Sequence, residues 1–136
     1  YRIPGMIFSE GFIQPQKFNQ LMSQIDIMPT LLGLLNFNYE TKFLGQDVFT
    51  DQFQPKAYIA TYQDLGLIKG NRLTILSPTR KIKQYDLELQ PSNSPENFKL
   101  LYSEIPVKKL ASPLVEDCIA AYQSTSYWVK GKKLTL

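Results

Sequence analysis

Two rhythms of apolar and polar positions run along this chain, and they change over near residue 55. Gly5-Met6-Ile7-Phe8-Ser9 is a short apolar run between Pro4 and a Glu10-Gly11 turn. A run without alternation suits a strand buried on both faces, as in a mainly parallel sheet. Residues 10–22 are polar, with Gly11, Pro15 and Asn19, and read as a loop. The segment from Ser23 to Asn36 then has helical spacing, with Ile27, Leu31, Leu34 and Leu35 on one stripe and Met28 and Leu32 widening it. A helix over 26–36 is expected, largely buried. Asp26 would cap its start, Pro29 would fall in the first turn, and Asn36 would stop it.

Beyond the helix the rhythm shortens. Residues 37–56 are irregular and carry Phe37, Tyr39, Phe43, Phe49 and Phe53, with Gly45 marking a turn. From Lys56 the runs are strand-like. Ala57-Tyr58-Ile59-Ala60-Thr61-Tyr62 comes first, and Leu67-Ile68-Lys69 and Arg72-Leu73-Thr74-Ile75-Leu76 flank Gly70-Asn71. A Gly-Asn pair between two such runs predicts a hairpin turn with positive φ at its first central residue. After a turn at Pro78-Thr79, residues 81–87 alternate polar and apolar like a half-exposed antiparallel strand. Four strands in a meander over 57–88 are expected. Residues 90–97 are a polar loop, and Pro95 opens a short helix through Leu101. Ser112-Pro113 begins a final helix over 112–130, as N-cap and first helical residue. Leu114, Cys118, Ala121 and Tyr122 form its inner face, and Glu116 and Asp117 lie near its start.

Composition narrows the chemistry. The chain has 136 residues, enough for one domain or part of a larger one, and is 43% hydrophobic and 20% charged, a globular balance. It contains no histidine and one cysteine, Cys118. A Ser-His-Asp triad, a Cys-His dyad, a histidine metal site, a thiolate zinc site and an internal disulfide are therefore excluded within it. The net charge is +3. The clusters Arg80-Lys81-Ile82-Lys83 and Lys130-Gly131-Lys132-Lys133 are short and read as solvated faces, not as a nucleic-acid groove. No stretch is apolar enough to span a membrane, and the first residues do not read as a secretory leader.

One block is more specific. Ser23-Gln24-Ile25-Asp26-Ile27-Met28-Pro29-Thr30-Leu31-Leu32-Gly33-Leu34-Leu35, followed by Phe43-Leu44-Gly45-Gln46-Asp47, resembles a late block of the sulfatase and alkaline-phosphatase superfamily. Ile3-Pro4-Gly5-Met6-Ile7-Phe8 stands where that family has the strand opening the block. Leu44-Gly45-Gln46-Asp47-Val48-Phe49 is similar to the branch of lipoteichoic acid synthases and periplasmic phosphoglycerol transferases. Tyr62–Lys69, Arg72–Pro78, Tyr85-Asp86-Leu87 and Ala120–Ser124 resemble that branch's C-terminal sheet and final helix.

The resemblance implies the C-terminal portion of an alkaline-phosphatase-like α/β fold, α+β in isolation. It would have one core strand and helix, a small antiparallel four-stranded sheet and a C-terminal helix. Residues 1–55 would end the core, and residues 56–136 would form the sheet subdomain. It also implies that the nucleophile (Thr, Ser or formylglycine) and the Asp, Glu and His ligands of a divalent metal (Mn, Mg, Ca or Zn) lie upstream. No catalytic, cofactor-binding or metal residue is then carried over to this chain. The chain would be a fragment, inactive alone, left by deliberate truncation, proteolysis or a split reading frame. Its partner would be the N-terminal catalytic part of the same protein, anchored at the inner membrane and facing the periplasm.

The residues that could be read as a site have plainer roles. Asp26 and Thr30 share a helix face at a spacing of four, which suits a cap and a packing residue as well as a catalytic pair. Glu116 and Asp117 are neighbours that point about 100° apart on a helix, so they do not chelate together. Cys118 reads as a small buried hydrophobe, since no histidine can activate it. The aromatics over 37–53 anchor a loop or bind a sugar or lipid headgroup. The competing class is a non-catalytic interaction module that binds through an exposed strand edge and the aromatic loop. A chain deprived of its core partner would expose the strand at 5–9 and the helix at 27–35, and would self-associate.

Overall fold

The computed structural model describes residues 3–90 and 101–131. A 3-10 turn over Gln24–Asp26 leads into helix α1, Ile27–Leu34. Strands β1 (Lys56–Ala60), β2 (Leu65–Lys69), β3 (Arg72–Ser77), β4 (Lys81–Gln90) and β5 (Leu101–Pro106) follow, and helix α2 spans Ser112–Lys130. The five strands form one antiparallel sheet in sequence order. Each strand therefore pairs with its neighbour in the chain, and no crossover is needed.

The registers follow from the turns. Gly70-Asn71 closes the β2–β3 hairpin between the paired residues Lys69 and Arg72. Gly70 has φ 62°, which a side chain resists and glycine accepts. Pro78–Arg80 makes a 3-10 turn between β3 and β4, with Thr79 at φ 63° and Arg80 at φ 58°. Next to the hairpin, Arg72 and Asp86 are direct cross-strand partners, and the guanidinium reaches Asp86 Oδ1 at 2.7–2.8 Å.

Helix α2 covers one face of the sheet. Leu114, Cys118, Ala121, Tyr122 and Thr125 recur at helical spacing and are wholly or partly buried. The Tyr122 hydroxyl lies 2.8 Å from the Ile59 carbonyl oxygen and 2.9 Å from that of Gly66, its one proton shared between β1 and β2. A Cβ at Gly66 would press on the Ile59 side chain across the β1–β2 pair, and Tyr58 meets the Tyr122 ring edge-on at 6.1 Å. The core under the helix is small, with Leu67, Thr74, Gln84 and Cys118 all below 4% exposed, while Leu73, next to Thr74 in β3, is buried on the opposite face of the sheet.

Gln84 is the buried polar centre of that core. Its Nε2 donates to Thr74 Oγ1 (3.0 Å) and to the Ala111 carbonyl (3.2 Å), while its Oε1 accepts the Ala111 N–H (2.7 Å). Thr74 is its cross-strand partner, and Ala111 is the residue before α2. One amide thus fixes where the chain leaves β5 and where α2 begins.

Several expectations need correction. The sheet has five strands, not four, because β4 continues to Gln90 and is joined by β5. The helix expected over 95–101 lies outside the described residues except for Leu101, which opens β5. Residues 5–9 are not a strand: they form no ladder with another strand among the described residues, and a strand needs a hydrogen-bonded neighbour. The first helix is shorter than 26–36, running Ile27–Leu34 after the 3-10 turn. Its end matches expectation. Asn36 adopts φ 55°, its N–H bonds the Gly33 carbonyl and the Phe37 N–H bonds the Leu32 carbonyl, a Schellman stop. In α2 the cap position falls on Ala111, and Ser112 is the first helical residue.

The helix α1 is also not largely buried. Ile27, Met28 and Leu35 are 46%, 51% and 58% exposed, whereas the buried positions are Pro29 and Thr30. Gly33 faces the same way as Thr30, towards Asp47.

Gln84→Leu should keep the volume and lose the polar links, leaving the Ala111 N–H and Thr74 hydroxyl short of partners. A loss of about 2–3 kcal/mol is expected, read as a lower Tm by circular dichroism.

Candidate functional site

The region with most resemblance to a functional block is the junction of the segment before α1, α1 itself and residues 44–48. It is built on Asp26. The carboxylate is 4% exposed, and its two oxygens accept different backbone donors: Oδ2 takes the Ser23 N–H at 2.8 Å, and Oδ1 takes the Gln46 N–H at 2.8 Å. Asp26 therefore does not cap the first turn of α1, as its position suggested. It closes the 3-10 turn back onto Ser23 and reaches across to a segment 20 residues away.

Ser23 carries the link onward. Its hydroxyl accepts the Tyr58 N–H at 2.8 Å and lies 3.5 Å from the Lys56 carbonyl, so it covers the outer edge of β1. Thr30 completes the junction. Its hydroxyl donates to the Asp26 carbonyl at 2.6 Å and accepts the Val48 N–H at 3.2 Å. The Thr30 proton is thus spent on a carbonyl oxygen, and no base stands against it. Asp26 and Thr30 are brought together as a clasp, not as an acid–nucleophile pair.

Two glycines permit the close approach. A Cβ at Gly45 would collide with the Ile25 carbonyl oxygen, and one at Gly33 would collide with Asp47 Oδ2. Asp47 in turn holds its own loop, accepting the Phe49 N–H on Oδ1 and the Thr50 hydroxyl on its carbonyl.

The other candidate residues are scattered. Asp117 forms an ion pair with Lys69 at 2.6 Å between half-exposed side chains, while Glu116 is exposed. Such a pair adds little stability but orients α2 over β2. Lys56, directly across from Lys69, sits 5.7 Å from the Tyr58 ring, which offsets the cross-strand repulsion. These residues edge a groove of about 340 Å³ between α2 and strands β1–β2, open towards Ala120, Ala121 and Ser124.

Phe37, Tyr39, Phe43 and Phe49 are exposed. They meet in separate pairs, Tyr39 with Phe43 at 6.1 Å and Phe49 with Phe18 at 5.3 Å, and build no common platform. Cys118 has no exposure, and burial pushes its thiol up to about 11. Burial also raises the Tyr122 phenol.

Among the described residues, no three Cys, Asp or Glu side chains converge as a metal site, and no buried side-chain nitrogen or oxygen lacks a partner. No step through a metal is therefore derived for the described residues. Among the same residues no helix is long and apolar enough to cross a membrane. Sequence reasoning passed over Ser23 and Gln84, and it placed Tyr122 on the inner face of the final helix without the partners of its hydroxyl. Ser23 was discoverable from the Ser-x-x-Asp spacing of a capping box; the bonds of Gln84 and Tyr122 were not, since their partners are distant in sequence.

The arrangement defines a fold class. The five-stranded antiparallel sheet with its two helices matches a part of an alkaline-phosphatase-like fold. A solved structure of a protein in the alkaline phosphatase superfamily from Vibrio parahaemolyticus superposes with a TM-score of 0.72, at 19% identity over 91% of this chain. This chain spans 28% of that protein's length. No family profile matches the sequence.

Gly45→Ala should destabilise the chain by at least about 2 kcal/mol, because the blocking atom is backbone and cannot swing aside. Denaturant titration checks this, with Gly5→Ala as the neutral control in open space. Alkali should also weaken the fold. The neutral Cys118 thiol is favoured in the folded state, so its stabilisation is complete below pH 9.0 and lost as pH rises towards about 11. Melts at pH 8 and pH 10 should differ less in Cys118→Ala than in the unaltered chain.

Proposed function

We propose that this chain is the C-terminal segment of a metal-dependent enzyme of the sulfatase and alkaline-phosphatase superfamily, and that it shapes the fold without entering the chemistry. The observation that carries this reading is the match itself: nine-tenths of the chain superposes on about a quarter of a superfamily protein. The clasp around Asp26 supports it, since every polar group there is engaged in holding backbone together.

Within the superfamily, the Leu44–Phe49 block and the Tyr62–Lys69 strand favour the lipoteichoic acid synthase and phosphoglycerol transferase branch. The parent's nucleophilic oxygen would attack the phosphorus or sulfur of an ester and expel an alcohol, passing phosphoglycerol, phosphoethanolamine or sulfate through a covalent intermediate. A divalent metal, held by residues outside this segment, would supply charge neutralisation at the transferred group. On this reading the parent is anchored in the inner membrane by helices outside the segment and works in the periplasm. The segment's partner is then the N-terminal catalytic part.

The test compares the purified chain with the full encoded protein on bis-p-nitrophenyl phosphate and p-nitrophenyl sulfate, with and without Mn²⁺ or Mg²⁺. Only the full protein should turn over either ester, and its frame should contain an Asp-His-Gly block upstream. Metal-dependent turnover by the chain alone would overturn the reading. A frame with no upstream catalytic block would favour the interaction module.

A further inference from the structure

Helix α1 is amphipathic in the reverse sense. Its buried positions are Pro29 and Thr30, with the exposed Gly33 beside Asp47; its outer side presents Ile27, Met28 and Leu35, with Leu31 and Leu34 half-buried between them. On a helical wheel these five residues fall within a stripe of about 120°, opposite the buried side. A helix normally turns its large apolar side chains to the core and small or polar ones to water. Here the chain turns its Pro and Thr inward and leaves the Ile, Met and Leu outside.

The exposed apolar surface is concentrated in the same part of the chain. Ile3, Met6, Phe8, Phe12, Ile25 and Leu44 are also exposed, whereas over residues 56–88 the strands expose only Leu65 among their large hydrophobics. The chain has 11184 Å² of accessible surface. A compact monomer of its 15.6 kDa would have roughly 7,200 Å². The excess of roughly 4,000 Å² is more than the undescribed residues could add, even at the roughly 1.45 Å² per dalton of an extended chain.

We infer that the outer face of α1 is a docking surface, and that its occupant is an apolar face of the N-terminal part of the same protein. The inference rests on the reading above. The occupant follows from the match, because 28% coverage leaves most of the neighbour's fold without a counterpart in this chain. The 44–48 segment then serves as a brace. It holds α1 from behind through Asp26 and Thr30, while the helix meets the partner with Ile27, Met28 and Leu35.

The experiment places a thiol on that face. Met28→Cys, and separately Leu35→Cys, are made in the isolated chain and in the full encoded protein, and maleimide labelling is followed peptide by peptide by mass spectrometry. Cys118, with no exposure, is the internal reporter of folding. The new thiols should label at least tenfold more slowly in the native full protein than in the folded isolated chain, and the protection should not change with concentration. If Cys118 labels in the isolated chain, the denatured full protein is the reference and the same tenfold protection is expected. Equal rates overturn the docking surface. Protection that disappears on dilution makes the occupant a second copy and overturns the inference, as does a reading frame with no upstream part. The turnover assay reports on the enzyme reading separately, so a full protein that protects Met28→Cys yet cleaves no ester would overturn that reading and leave the surface standing.

Discussion

The segment before β1 is hydrogen-bonded to the sheet through one carboxylate and one hydroxyl. Asp26 is buried, and each of its oxygens accepts a backbone N–H, one from Ser23 and one from Gln46. Ser23, held in that way, turns its hydroxyl to the Tyr58 N–H on the edge of β1. The turn before α1, the loop after it and the first strand of the sheet therefore meet at two side chains. A charged acceptor forms stronger bonds to N–H donors than a neutral one, and an aspartate in this position has no room to exchange them for water. The glycines at 33 and 45 follow from the same constraint, because the loop can reach Asp26 only by passing close to Ile25 and to the helix.

The second half is organised differently. Its strands pair with their sequence neighbours, so its contacts are local and its topology is simple. What is not local is the placing of α2. Tyr122 straddles two carbonyls at one end, and Gln84 holds Ala111 at the other. Both are polar groups inside an otherwise apolar contact, and both are fully partnered. Such groups specify one arrangement where a purely apolar contact would allow several.

The two halves differ most in what they leave uncovered. The sheet and α2 enclose a modest core, while α1 encloses almost nothing and turns its larger apolar side chains outward. Exposed apolar area of this kind carries a free-energy cost in water that covering it would remove.

The local elements were legible in the sequence alone. The Gly70-Asn71 hairpin, the α2 span and the Asn36 stop each depend on conformational preferences of a few adjacent residues, and each appears as read. The absence of histidine already removed whole classes of catalysis. What only the tertiary structure decided were relations between distant residues. Asp26 looked like a cap because position suggested it, and serves Gln46 because the loop returns there. The fifth strand depends on β4 extending far enough to receive it. The direction in which α1 faces was also hidden: a periodic apolar stripe specifies that one side must be covered, but not by what. Periodicity encodes which side chains share a face; the partner that covers the face is set by the rest of the fold.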